Sequence, residues 1–204
     1  MSAVGVSGIV LAGGASTRFG GDKLAAQVGG RTLLELAVAA VASVTTEVLV
    51  VVAPGDDRPL PGGTVPVRRV EDPERHGGPL VGLLAGLEAA DEPIVLVVGG
   101  DMPALSPDVL SALIRALEAS PGSADAAVLL QRSEPRPLPA VLRNGAATPA
   151  ARRLLADGER SLRALVRALA TRELAEGEWR GLDPDGATLI DVDRPEDLPI
   201  PPGT

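Results

Sequence analysis

Two cations, Arg18 and Lys23, stand inside the glycine-rich stretch GIVLAGGASTRFGGDK, which runs from Gly8 to Lys23. Glycine admits close approach and positive φ at an entropic cost. Bare amides after a strand make a cradle for anions. The amides of Gly13 to Ser16 suit one phosphate, Arg18 can fork around another, and Lys23 adds a point charge at a fixed distance from the turn. The competing readings are a tight connection, a surface salt bridge at Arg18 and a solvated lysine at 23. The spacing is that of neither a Walker loop nor Gly-x-Gly-x-x-Gly.

Two acids are further candidates. Asp101 follows the apolar run IVLVVGG, so its carboxylate is expected at the end of a buried strand. Its alternative is to cap a helix beginning near Pro103 or Pro107. Asp72 lies in VEDPERHGGPL, where an Asx turn before Pro73 is the alternative to ligand binding. His76, the sole histidine, sits among loop residues and is read as solvated.

The elements that must position these residues alternate. Strands are expected at Gly8–Leu11 (within an apolar run from Val4), Val48–Val52, Val65–Val70, Ile94–Val98, Ala126–Leu130, Leu138–Leu142 and Ala187–Val192. Helices are expected at Thr32–Val44, Pro79–Ala90, Pro107–Leu117, Ala150–Ala156 and Leu162–Leu169, with a last helical turn at RPEDL. Continuous apolar strands alternating with helices mean a mostly parallel sheet covered on both faces. Ligands of such sheets sit at the carboxyl ends of the strands, where both the glycine loop and Asp101 fall. The stretch PGDDRPLPGG, from Pro54 to Gly63, reads as a mobile loop, and PIPPGT as a frayed tail.

Composition narrows the classes. Hydrophobic residues are 45% and aromatics 1% of 204 residues, so the core must be Leu, Val, Ile and Ala in one expected domain. A net charge of −8 argues against a general nucleic-acid binder, while a local group of cations and amides still suits a small anion. With no cysteine, disulfides, thiolate metal sites and a cysteine nucleophile are excluded. No apolar run reaches the roughly 18 residues of a membrane span, and no secretory leader is seen; a cytoplasmic protein is expected.

LAGGASTRFGGDK closely resembles the motif L-A-G-G-x-S-x-R-M-G-x-D-K of the MobA-like nucleotidyltransferases, with Phe19 where Met is usual. EDPERHGGPLVGL, VLVVGGDMPAL, RPLPAVLRN, LADGERSLRALV and LIDVDRPEDL resemble further blocks of that family, in family order as far as Leu198. The resemblance implies a three-layer α/β/α Rossmann-like fold of the nucleotide-diphospho-sugar transferase type. It implies one domain over 1–204, its N-terminal half binding nucleotide and its C-terminal half the acceptor. The implied reaction moves GMP from GTP to the terminal phosphate of molybdopterin and releases pyrophosphate, with Mg²⁺ as cofactor.

By resemblance, Arg18, Lys23 and Asp101 are catalytic. GTP would meet Leu11, Ala12, Gly13, Gly14, Ser16, Arg18, Lys23, Asp72, Gly78 and Asp101. Asp101 would hold the metal, with Asp191 or Asp193 as a candidate second ligand, and the paired glycines 99 and 100 would leave room beside it. Arg160, Arg163, Asp191 and Asp193 are the candidates for the acceptor, Arg160 and Arg163 being equally readable as solvated helix residues. Gly13–Gly14, Asp72 and Gly82 favour GTP over CTP. Ala53, and acids at 191 and 193 where guanylyl members often have Asn, depart from the pattern. A cytidylyl analogue, a phospholactate guanylyltransferase, a sugar-phosphate enzyme and a non-catalytic nucleotide binder are the alternatives. Proteins that make or use the molybdenum cofactor are the implied partners.

Overall fold

Every residue of Val48–Val52 and Ile94–Val98 is buried, and the two segments flank Val6–Leu11 in one sheet. The computed structural model describes residues 5–13, 19 and 21–198. In chain order the elements are β1 (Val6–Leu11), β2 (Gln27–Val28), β3 (Arg31–Thr32), α1 (Leu33–Ala42), β4 (Glu47–Val52), β5 (Val67–Glu71), α2 (Pro79–Ala89), β6 (Ile94–Gly99), α3 (Pro107–Glu118), β7 (Ala126–Gln131), β8 (Glu134–Arg143), α4 (Asn144–Ala156), α5 (Leu162–Ala168), β9 (Thr171–Leu174) and α6 (Glu176–Trp179). The main sheet has the order β5-β4-β1-β6-β8-β7-β9, and β2 and β3 pair apart from it. Only β8 runs against its neighbours in that sheet.

The chain leaves β1 toward β4 and β5, then returns to place β6 on the other side of β1. That reversal makes a crevice at the carboxyl ends of β1 and β6. Leu11 is there in register with Gly99, and the Gly100 amide donates to the Leu11 carbonyl at 2.9 Å.

Alternate strand residues feed two cores. α1 and α3 cover Val10, Val50 and Val98 on one face. α2, α4 and α5 cover Ile9, Val51 and Val97 on the other. Hydroxyls set the helix starts: Thr32 makes a capping box with Glu35, Ser106 accepts from Val109 and Ser161 from Ala164. Trp179 is fully buried in the first core, its indole N–H satisfied by the Leu130 carbonyl at 3.1 Å.

Gly86 lets α2 lie close to the sheet. A Cβ there would sit 2.8 Å from Ile9 Cδ1 and 3.1 Å from Val51 Cγ2. Gly86→Ala therefore lowers the urea midpoint with m unchanged: overpacking costs about 1–3 kcal/mol, against roughly 0.5–1 kcal/mol of helix propensity gained. Gly145→Ala in α4, where nothing lies within 4 Å, shows no such loss.

Four segments differ from the sequence reading. Ala187–Val192 is no strand. The buried Asp183 carboxylate accepts from the Ala187 and Thr188 amides and draws Ala187–Leu189 into a 3₁₀ turn after Gly186 at φ 68°. A short strand, Thr171–Leu174, pairs with β7 instead; its charged Arg172 and Glu173 hide the apolar pattern. β8 begins at Glu134, ahead of the expected Leu138, because Pro137 and Pro139 fall where its pairing with β7 shifts register. α4 likewise begins at Asn144 and tolerates Pro149.

Candidate active site

The crevice opens into a cavity of about 450 Å³. Leu11, Ala12 and Gly13 line it at the end of β1, Asp72 and Gly78 before α2, Gly99 and Asp101 at the end of β6, and Lys23 from a 3₁₀ turn. Residues expected at the nucleotide or metal thus converge from four separate parts of the chain. Gly14, Ser16 and Arg18 lie outside the described residues.

The Lys23 ammonium reaches Asp101 Oδ2 at 2.7 Å and Asp193 Oδ1 at 3.4 Å. Burial alone would push it down, but the bonds and charges of Asp101 and Asp193 outweigh burial and hold it above the usual lysine value. Asp22 fixes its turn by accepting from the Leu24 amide at 3.1 Å, while Leu24 is buried. Arg58 bridges Asp22 and Asp56, and Arg69 of β5 donates to the carbonyls of Asp56 and Arg58. The loop from Pro54 to Gly63, expected to be mobile, is tied by these guanidiniums to the turn that carries Lys23.

Asp101 does not cap α3, since Ser106 does. Its carbonyl accepts from the Val192 amide at 3.0 Å, which lays residues 191–193 across the end of β6. A Cβ at residue 99 would stand 2.4 Å from Asp101 Oδ1, so glycine there is what lets the carboxylate fold back beside the strand end. Two carboxylates already converge on one cation, Lys23 Nζ. Among the described residues no group of three or more His, Cys, Asp or Glu could hold a metal. A hard divalent ion that takes one or two carboxylates and completes its shell with phosphate oxygens and water fits this donor set.

Asp72 makes the Asx turn: its Oδ1 accepts from the Glu74 amide at 2.9 Å. The same buried carboxylate lines the cavity, with Oδ2 only 3.0 Å from where a Cβ on Gly82 would be. The two readings of Asp72 are therefore compatible. Burial pushes its carboxyl above the usual range against the Glu74 amide bond, and the Glu74 charge adds to the rise. His76 is exposed, as read, at the cavity edge with φ 66°.

The C-terminal candidates divide. Asp193 meets Lys23, and Asp191 faces Arg136 with Oδ1 3.9 Å from a guanidinium nitrogen. Arg160 turns its side chain onto the Leu155 and Glu159 carbonyls at the end of α4. Arg163 lines a separate small groove with Pro135 and Pro137. Arg136 opens RPLPAVLRN, one of the family-like blocks of the C-terminal half, but is not singled out among its residues.

Residues 8–174 match the family model described as MobA-like NTP transferase domain. The chain belongs to this family. Across the MobA-like domain and beyond it, the chain is 37% identical over 201 residues to a probable molybdenum cofactor guanylyltransferase of Chloroflexus aggregans, covering 96% of this chain and 92% of the relative. Its fold is that of the nucleotide-diphospho-sugar transferases. It superposes on molybdopterin-guanine dinucleotide biosynthesis protein A from Archaeoglobus fulgidus with a TM-score of 0.74, at 21% identity over 94% of each chain. It superposes on 2-C-methyl-D-erythritol 4-phosphate cytidylyltransferase from Thermus thermophilus with a TM-score of 0.68, at 22% identity over 93% of this chain and 94% of that one. The chain thus shares its fold with a protein named as a cytidylyltransferase. Among the described residues no helix is long and apolar enough to cross a membrane.

Proposed function

We propose that this protein transfers GMP from GTP to the terminal phosphate of molybdopterin. An oxygen of the acceptor phosphate forms a bond to the α-phosphorus, the bond between the α-phosphorus and its bridging oxygen breaks, and pyrophosphate leaves. The attacking phosphate is already ionised, so no general base is required. The barrier is the meeting of anions, which oriented cations and amides lower.

The observation that carries this reading is the Lys23–Asp101–Asp193 cluster at the sheet's reversal point, whose Lys23 and Asp101 line the same cavity as Asp72. Lys23 supplies charge to the phosphates. Leu11, Ala12, Gly13 and Gly78 shape the nucleotide side, with Gly14, Ser16 and Arg18 completing the loop. Asp101, with Asp193 as the second carboxylate, would hold Mg²⁺, which when bound neutralises phosphate charge and orients the leaving group. Asp72 accepts from N1–H and N2–H of guanine, a donor pair that cytosine and adenine lack. In the single domain of 1–204, the C-terminal half receives the acceptor.

Purified protein, Mg²⁺ and molybdopterin are mixed with GTP, CTP or ATP in turn, and the dinucleotide is identified by mass. Product from GTP is expected. Product from CTP in its place overturns the base, and GTP consumption only with another phosphorylated acceptor overturns molybdopterin.

A further inference from the structure

We infer that Arg136 is the cation that receives the acceptor's phosphate monoester, on the opposite flank of Asp101 from Lys23. This rests on the transfer reaction proposed above. The sheet order β1-β6-β8 puts Asp101, at the end of β6, between the loop after β1 and strand β8. The antiparallel pairing of β6 with β8 ends at Val97 and Ala140; beyond it the chain continues to Gly99 and Asp101 on one side and, within β8, back to Leu138 and Arg136 on the other. Gly99 and Leu138 both line the cavity.

Residues 191–193 mark the same two flanks. The Val192 amide rests on the Asp101 carbonyl, the Asp193 carboxylate meets Lys23, and the Asp191 carboxylate faces Arg136. A nucleotide phosphate belongs on the Lys23 side, beside Gly13. The second anion of the reaction then needs a cation on the other.

Arg136 has donors to spare. Its Nε is buried without a hydrogen-bond partner among the described residues. At 3.9 Å, its contact with Asp191 is longer than the roughly 2.7–2.9 Å of a charge-assisted hydrogen bond. A guanidinium carries five donors, and a phosphate that binds it in the bidentate manner takes two together. Its side chain is 31% exposed, so a ligand can reach it.

Three other arginines of the C-terminal half are committed elsewhere. Arg160 caps carbonyls of α4, and Arg143 donates to the Ala124 and Leu117 carbonyls. Arg163 shares its groove with Pro135 and Pro137, on the face of β8 away from Arg136. The pair also accounts for an acid at 191, which would otherwise repel the acceptor: Asp191 stands beside the guanidinium and competes with the incoming phosphate for it.

The test compares the wild type with Arg136→Ala, Arg136→Lys and Asp191→Asn. Arg136→Ala is expected to raise the acceptor KM by about tenfold or more, the scale of a lost charged hydrogen bond. The GTP KM should stay within about twofold and the melting temperature should hold. Arg136→Lys restores part of the loss, because it keeps the charge but not the fork. Asp191→Asn lowers the acceptor KM by removing the competitor. In a ³¹P NMR titration, glycerol phosphate binds the wild type and not Arg136→Ala. An unchanged acceptor KM in Arg136→Ala, or an equal rise in the GTP KM, overturns the assignment while leaving the transfer reaction standing. Glycerol phosphate held through Arg136 by a protein that makes no dinucleotide from molybdopterin supports the site and overturns the acceptor.

Discussion

Asp101→Asn is expected to abolish pyrophosphate release, with turnover reduced by about 10²–10³-fold or more, the scale set by losing one preorganised electrostatic contact at a reacting centre. The substitution keeps the shape of the side chain, so the close approach to Gly99 survives. The fold is spared because the tie between β6 and residues 191–193 runs through the Asp101 carbonyl, which asparagine retains. The Lys23–Asp101 pair is partly exposed, and such pairs contribute little to stability. Nucleotide binding should also survive in the absence of metal: one negative charge leaves the crevice and Lys23 stays, so the affinity for free GTP is unchanged or higher. Turnover is measured by coupled pyrophosphate detection and GTP affinity by calorimetry. Mn²⁺ binding, followed by electron spin resonance, supplies a readout independent of turnover and weakens in the variant. Full turnover in Asp101→Asn removes this carboxylate from the reaction.

The parts of the molecule that sequence reveals best are those whose signal is local. Buried strands such as Val48–Val52 and Ile94–Val98 are continuous β-branched runs, and α1 and α3 begin at hydroxyl caps. Their order alone places Gly13 and Asp101 at the same sheet edge. What escaped depends on partners far along the chain. Ala187–Val192 has the apolar content of a strand, yet Asp183 satisfies its amides first. Proline spacing hides the start of β8, and the approach of Arg136 to Asp191 joins residues far apart along the chain. The loop holding Asp56 and Arg58 has a mobile composition, but Arg69 on β5 and Asp22 before Lys23 anchor it. The double glycine at the end of β6 is noticeable in sequence; the reason for its first member, the carboxylate of Asp101 folding back on residue 99, exists only in three dimensions. Likewise Asp72 presents two candidate roles in sequence, and only geometry shows that separate oxygens can serve each.

That division of labour sets the second large effect. Asp72→Asn should reduce the preference for GTP over CTP by about 10²-fold, since two hydrogen bonds to a buried group are lost or reversed. If the asparagine oxygen stays on the Glu74 amide, its NH₂ takes the place of Oδ2 and opposes guanine's donors. Stability should move the other way. Burial raises the folded-state pKa of Asp72, so its ionised form costs folding free energy above that pKa, and the cost is relieved as pH falls through it. The neutral isostere removes the cost and keeps the turn, so the variant melts no lower than the parent at neutral pH. The wild type itself should lose GTP preference as pH falls through the raised pKa, because a proton on Oδ2 turns the acceptor facing guanine's N–H groups into a donor, whereas Asp72→Asn should show no such dependence. The measurement is the ratio of kcat/KM for the two triphosphates with one acceptor, taken across the acid range for both proteins. A ratio identical in the two would leave Asp72 with the Asx turn alone.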